Sequence, residues 1–309
     1  MTNQQDVSGE PDWGRIFRGP IEEIEHASQG YANDTWIIGT EKRSYVVKAT
    51  RTFPSPTRPF WDGMLTLFGM SIYHHIKHRR ALAGFLRRHS PLTIPHALHI
   101  DMSEKIFPRP FIVYEKLPGE PANLDGAADS AGAAAFARQL GDHLGHLHTV
   151  DSQFWGSYPT PPDFALKDWP LRLSGSLKAL AHRWFSDQPE VLAALPGFVS
   201  QARRLPPPAS AALVLPDLRP NQFLVSDGHL SALVDIESHV LGPRELDFIA
   251  LEYMLTPQTL PAFMDGYTRH LPLPNMASVR PLYRYLYWLI TALGMHSYAQ
   301  WMNQPALFE

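Results

Sequence analysis

Two acidic residues, Asp217 and Asp235, stand where they could do chemistry together. They lie in the stretch AALVLPDLRPNQFLVSDGHLSALVDIE, residues 211–237. The apolar runs Ala212–Leu215 and Phe223–Val225 flank a loop holding Asp217, Arg219, Asn221 and Gln222. A third run, Leu230–Val234, ends in Asp235 and Glu237. Asp227-Gly228 separates the second and third runs and reads as a two-residue hairpin turn, because Gly accepts positive φ. Two carboxylates leaving the ends of adjacent short strands would face one cleft, where they suit metal binding and activation of a hydroxyl. A surface hairpin with solvated acids has the same pattern, so the rest of the chain must decide.

A cation able to serve the same cleft is Lys48. Trp36-Ile37-Ile38 and Tyr45-Val46-Val47 are β-rich runs with a turn at Gly39–Ser44, and Lys48 ends the second. The loop Ser28-Gln29-Gly30-Tyr31-Ala32-Asn33-Asp34 precedes the first. Its Gly30 would let backbone N–H groups approach phosphate oxygens, and the Lys48 ammonium could reach the same phosphates. Taken alone, one Gly and one Lys more often mean a β-turn beside a snorkelling surface lysine.

The elements that must position these groups follow in a simple order. Strand-like runs at Pro95–Asp101 and Phe111–Glu115 lead to a break at Lys116-Leu117-Pro118-Gly119. Beyond it, Ala131–Thr149 is Ala- and Leu-rich, with Phe136, Leu140, Leu144 and Leu147 at helical spacing. Helices are expected near Trp169–Phe185, Pro189–Arg203, Phe248–Leu255, Pro261–His270 and Ala277–Asn303. Strands first and helices after predict an α+β, two-lobed architecture with a cleft between the lobes. The expected divisions are a mobile tail over 1–20, an N-lobe over 21–118 and a C-lobe over 119–309. His74 and His78 share a metal-pair spacing, but no carboxylate or cysteine accompanies them nearby. The Lys/Arg residues from Lys77 to Arg88 read as a solvated helix face, and His143, His146 and His148 as core or capping histidines.

Composition narrows the partners. The 309 residues carry a formal net charge of −3, which argues against a nucleic-acid partner. The absence of cysteine excludes disulfides, thiolate metal sites and thiol nucleophiles. No apolar run of about 18 residues is present and the N-terminus lacks a signal core, so no membrane span and a cytoplasmic location are expected.

Several of these segments resemble the aminoglycoside phosphotransferase and choline kinase-like family, which has a protein-kinase-like fold. Leu215-Pro216-Asp217-Leu218-Arg219-Pro220-Asn221-Gln222 is similar to the family's catalytic loop His-Gly-Asp-Leu-His-Pro-Gly-Asn. Val234-Asp235-Ile236-Glu237 resembles its Asp-Trp/Phe-Glu motif, and Gly242–Ala250 its later Gly…Asp-Leu-Ala pattern. Phe111–Glu120 looks like the hinge, Leu144–His148 the Leu-His helix ending, and Gly30–Trp36 with Lys48 the nucleotide loop and its lysine. The resemblance covers residues 21–300 or so, and its order and spacing are more specific than any one match.

The resemblance implies ATP and Mg²⁺ as cofactors. It makes Asp217 the group that takes or orients the proton of an acceptor hydroxyl, in its ordinary ionised form. Asp235 and Gln222 would hold the metal, Lys48 the α/β-phosphates, and Gly30 and Asn33 the nucleotide loop. The backbone of Glu115–Leu117 would face the adenine. Arg219, Glu237, Glu245 and Asp247 would lie toward a small hydroxylated substrate, and a pocket of carboxylates favours an amine-bearing one. The expected activity is phosphoryl transfer by a monomer or homodimer. The alternative is a pseudokinase that binds nucleotide and transfers little or nothing. Three departures bear on that choice: Leu215 replaces His, Gln222 replaces Asn, and the helix after Lys48 lacks the family's glutamate, Asp62 being the one acid between Arg43 and Asp101.

Overall fold

β-Branched and aromatic residues dominate Thr35–Thr50, and in the computed structural model they form the centre of an antiparallel sheet. The structure describes residues 11–27, 32–51, 56–123, 131–159, 164–291, 293 and 297–309. In chain order the first lobe holds α1 (Trp13–Ile16), β1 (Ile21–Ala27), β2 (Asn33–Thr40) and β3 (Ser44–Thr50). After it come α2 (Pro59–Phe68), α3 (Ile72–His75), α4 (Arg79–His89), β4 (Ala97–Asp101) and β5 (Phe111–Glu115). The sheet order is β1-β2-β3-β5-β4. β3 lies at its centre, and Lys48 pairs across to Thr35 and Ile112.

The second lobe is mainly helical. It comprises β6 (Glu120–Pro121), α5 (Ala131–His148), β7 (Gly156–Ser157), α6 (Trp169–Trp184), α7 (Pro189–Arg204) and β8 (Ala212–Val214). β9 (Phe223–Ser226), β10 (His229–Leu233), β11 (Val240–Gly242), α8 (Glu245–Met254), α9 (Leu260–Tyr267), α10 (Arg280–Ile290) and α11 (Tyr298–Met302) complete it. One apolar core joins α2 and α4 to the helices α5 to α10, including Trp61, Leu86, Leu140, Leu177 and Leu286. Smaller cores line the sheet, one around Ile38, Val47 and Val113, the other around Ile76 and Ile112. The expected α+β, two-lobed fold is therefore what the chain adopts. Among the described residues, no helix is long and apolar enough to cross a membrane.

Three details refine the expectations. Of the tail expected to be mobile or loosely docked, residues 11–20 lie on the sheet: Trp13 is 9% exposed and packs edge-on against Trp36 while Phe17 meets Tyr45. Buried aromatic area offsets the entropy of ordering this segment. Within residues 21–118, α2 leaves the sheet and enters the helical core. Asp62 holds it there, accepting from Arg183 Nη1 at 2.8 Å and Trp184 Nε1 at 2.8 Å. The third concerns the strands around the acids. β9 and β10 form the expected hairpin, with Asp227 at φ 51° and Gly228 at φ 77°. β8 does not adjoin it but pairs with β11 in a separate sheet, β7-β11-β8.

Candidate active site

Although β8 and β10 belong to different sheets, the chain brings their two acids together. The Asp217 loop folds back on the hairpin through a hydrogen bond from Val234 N to Gln222 O of 2.9 Å. Proline at 220 starts a short 3₁₀ turn, Pro220–Gln222, that reverses the loop. Below it, Asp247 is fully buried and accepts from Leu215 N at 2.8 Å and pairs with His148 Nε2 at 3.1 Å. His148 Nδ1 in turn lies 2.9 Å from the Tyr267 hydroxyl. Asp247, which the sequence suggested for the substrate, thus carries the base of the catalytic loop. Leu215 is buried, so an apolar residue at the family's histidine position fits its surroundings.

Lys48 reaches the same place from the sheet. Its Nζ lies 3.1 Å from Asp235 Oδ1 and 3.2 Å from each carboxylate oxygen of Glu237. Lys48 is 14% exposed at its side chain, Glu237 6%, and Asp235 48%, so Asp235 alone opens widely to the cleft. Burial disfavours charge on Lys48, but Asp235 and Glu237 outweigh it and raise its pKa above the ordinary value. Burial would also raise Asp235. The charge of Lys48 and the hydrogen bond from Glu237 hold it well below the usual carboxylate range. Glu237 moves the other way, pushed up to about 7 by burial and by Asp235 against the pull of Lys48. Asp217 is also pushed up to about 7, by burial first and then by the charge of Asp235, while a hydrogen bond from Ser238 opposes the rise. Burial therefore makes the Asp217 carboxyl hold a proton more readily than the solvated carboxyl that the sequence reading assumed.

The other candidate residues fall as follows. Gln222 is 4% exposed, accepts from Arg219 N at 2.9 Å through Oε1, and donates to Asp217 O at 3.1 Å through Nε2. Its amide closes the loop instead of offering its oxygen to the cleft, in contrast to the expected metal ligand. Glu237 is turned toward Lys48 and not toward a substrate amine. Arg219 is exposed beside Asp217, whose charge it favours. Glu245 is half-buried at the start of α8, where its charge acts on Tyr283 and Tyr267. Asn33 opens β2 opposite Thr50, and Gly30 lies outside the described residues. Next to Asn33, Asp34 is bound by Arg51 Nε at 2.5 Å and Arg109 Nη2 at 2.6 Å, which ties the start of β2 to the chain after β3 and before β5. At the hinge, Glu115 Oε1 accepts from His96 N at 2.8 Å and Lys116 N donates to Ser44 O at 3.1 Å, while Leu117 is half-buried. Among the described residues, the group close enough to share an ion outside this cleft is Asp142, His146 and His270, not His74 and His78.

Buried polar side-chain atoms without a partner mark the cleft from another direction. Asp217 Oδ1, Arg79 Nη2, Tyr114 Oη and His239 Nε2 are all of this kind. Unsatisfied buried groups are costly in a folded protein and concentrate where a ligand or water completes them. A base-capable acid, a second acid open to solvent and a fixed cation on the sheet together suit charge neutralisation during group transfer. The family model for the phosphotransferase enzyme family matches residues 23–282.

The chain belongs to the phosphotransferase enzyme family.

By its family the chain is a phosphotransferase. No curated protein sequence matches it. Solved structures share its fold. Macrolide 2'-phosphotransferase MphH from Brachybacterium faecium is 17% identical with a TM-score of 0.56, covering 95% of this chain and 96% of its own. The gentamicin complex of APH(2")-IIa is 16% identical at a TM-score of 0.58, covering 90% of this chain and 86% of its own. A ternary complex of aminoglycoside phosphotransferase APH(4)-Ia with AMP-PNP and hygromycin B is 15% identical at 0.58, covering 90% and 88%.

Sequence reasoning on this phosphotransferase missed Arg79, Tyr114, Ser238 and His239. Arg79 was counted in a solvated basic face, yet it is 4% exposed. Its signal was available: Arg79 stands three and seven residues before Leu82 and Leu86, on the apolar face of α4. Tyr114, Ser238 and His239 had no comparable pattern.

Proposed function

We propose that this phosphotransferase moves the γ-phosphoryl group of ATP, with Mg²⁺, to a hydroxyl of a small amine-bearing molecule such as an aminoglycoside or amino alcohol. The observation that carries the reading is the convergence of Asp217, Asp235 and Lys48 from three separate segments on one cleft. The donor set fits a hard divalent cation. Asp235 offers carboxylate oxygens with 48% of its side chain open, and Asp217 Oδ1 lies nearby without a partner. Mg²⁺ keeps water and phosphate oxygens in its sphere and needs one or two carboxylates from the protein. Bound there, it would neutralise charge on the phosphates.

The residues of the chain then divide the work. Lys48 pairs with phosphate oxygens, and the backbone of Glu115–Leu117 orients the base. Asp217 fixes the acceptor hydroxyl and takes its proton. The hydroxyl oxygen forms the new P–O bond, the bond to the β,γ-bridging oxygen breaks, and ADP leaves with that electron pair. Such catalysis is chiefly positioning and electrostatic stabilisation. With Glu237 on Lys48 and Asp247 beneath Leu215, the preference for an amine rests on Glu245 and Asp217.

The solved relatives support the chemical class, since they include gentamicin, kanamycin and hygromycin B complexes and a macrolide enzyme. They also hold GDP, ADP or AMP-PNP, so both ATP and GTP belong in the test. The deciding experiment is a coupled nucleoside-diphosphate release screen with Mg²⁺ against aminoglycosides, macrolides, choline, homoserine and sugars. At least one acceptor should give turnover that Asp217→Asn reduces by about 100-fold or more. No turnover across the panel together with no nucleotide binding overturns the reading. Nucleotide binding without turnover would favour the pseudokinase alternative, which the engagement of Gln222 within its own loop supports.

A further inference from the structure

Lys48 stands at the cleft, and among the described residues the carboxylates that reach it, those of Asp235 and Glu237, lie outside the helices. Asp62, the one acid between Arg43 and Asp101, is committed to Arg183 and Trp184 in the helical core. At the start of α4, the helix that follows the lysine strand and α2, stands Arg79 instead. Its Nη1 donates to the backbone carbonyl of Glu237 at 2.5 Å, and the residue is 4% exposed. The carboxylate of that same Glu237 lies 3.2 Å from Lys48 Nζ. The helix thus supplies a cation, and the turn between β10 and β11 supplies the acid.

We propose that Glu237 is the permanent partner of Lys48 and that Arg79 is the positioning residue that holds Glu237 in register with it. This rests on the nucleotide-dependent reading of the site. Exposure separates the two acids around Lys48. Asp235 keeps 48% of its side chain open and can turn to a ligand in the cleft, whereas Glu237, at 6%, is enclosed and stays with the lysine. Arg79 fixes the backbone of Glu237, and the packing of Leu82 and Leu86 into the main core fixes Arg79 in turn. The arrangement makes α4 and the Asp235–Glu237 segment one mechanical unit, so the geometry of Lys48 follows the position of α4. Glu237 is thereby assigned to the nucleotide side of the cleft and not to the acceptor.

The test measures binding of ATP and GTP by calorimetry, with and without Mg²⁺, alongside thermal unfolding and the separate KM values for nucleotide and acceptor. Glu237→Gln and Arg79→Met should each weaken nucleotide binding about tenfold, raise the nucleotide KM and leave the acceptor KM unchanged. Arg79→Lys should recover part of the loss, because a cation still reaches the Glu237 carbonyl. The double variant Arg79→Met/Glu237→Gln should be little worse than either single one, since residues acting through one unit are not additive. Lys48→Met reports on the underlying reading. If Lys48→Met weakens binding while Glu237→Gln and Arg79→Met bind as the parent does, the inference falls and the functional reading stands. If the parent binds neither nucleotide, both fall. Should Arg79→Met fail to fold, Glu237→Gln decides the matter, and lowered melting temperatures with unchanged affinity also overturn it.

Discussion

At the scale of single residues, the site is governed by burial of like charges. Asp217 has its pKa raised from 3.8 to about 7 by burial and by Asp235. The folded protein therefore binds a proton there between those values that the unfolded chain does not. The sign follows: this group contributes stability that is fully present below about pH 4 and is lost as pH rises through 7. Asp217→Asn keeps the shape and removes the charge. Its melting temperature should exceed that of the parent at pH 8, with the gap closing toward pH 5, in the absence of nucleotide and metal. Equal differences at both pH values would show that Asp217 titrates normally. The same substitution removes the proton acceptor, so stability and turnover should move in opposite directions.

At the scale of elements, two contacts determine whether the acids are presented at all. The first is the amide of Gln222, which binds Arg219 N and Asp217 O within the loop. Gln222→Ala should remove both of these part-buried hydrogen bonds and cost about 1–3 kcal/mol in denaturant unfolding. Turnover should fall while the Mg²⁺ dependence keeps its midpoint, because Asp235 and not Gln222 faces the cleft. A large rise in the Mg²⁺ requirement would return Gln222 to the metal. The second contact is between α5 and α9. Gly141 in α5 faces the backbone of Phe263 and Tyr267, and any Cβ there would collide with main-chain atoms. Gly141→Ala should destabilise the protein by about 1–3 kcal/mol, measured in urea. It should also disturb His148, Tyr267 and Asp247, which run along that interface to Leu215.

At the scale of the whole molecule, the lobes are interlocked more than a hinge and two halves would require. α2 comes from the sheet side of the sequence but is seated among α6 and α10 through Trp61, Met64 and Leu67, with Asp62 bound to α6. α1 caps the opposite side of the sheet through Trp13. Trp13→Ala should cost about 3 kcal/mol or somewhat more in global stability, as truncation of a buried aromatic does. Its effect on the acceptor KM should be absent, because Trp13 touches the sheet core and not the cleft. A variant as stable as the parent would mean that the segment before β1 is not docked in solution.

The sequence by itself determined what depends on local pattern. Helical periodicity located α5, α6 and α7 to within a residue or two, and β-rich runs gave β2, β3, β4 and β5. Asp227-Gly228 made its turn because few other residues accept positive φ at both positions. That Lys48 and Asp235 meet, 3.1 Å apart, was legible from the order of the segments that carry them. The partners of those residues were decided by the tertiary structure alone. Nothing local told that Asp62 faces Arg183, that Gln222 turns inward, or that Arg79 and Glu237 lie together 158 positions apart in sequence. Charge pairing and desolvation act through space, between segments that only the packing of α2 and α4 against the helical core brings within reach.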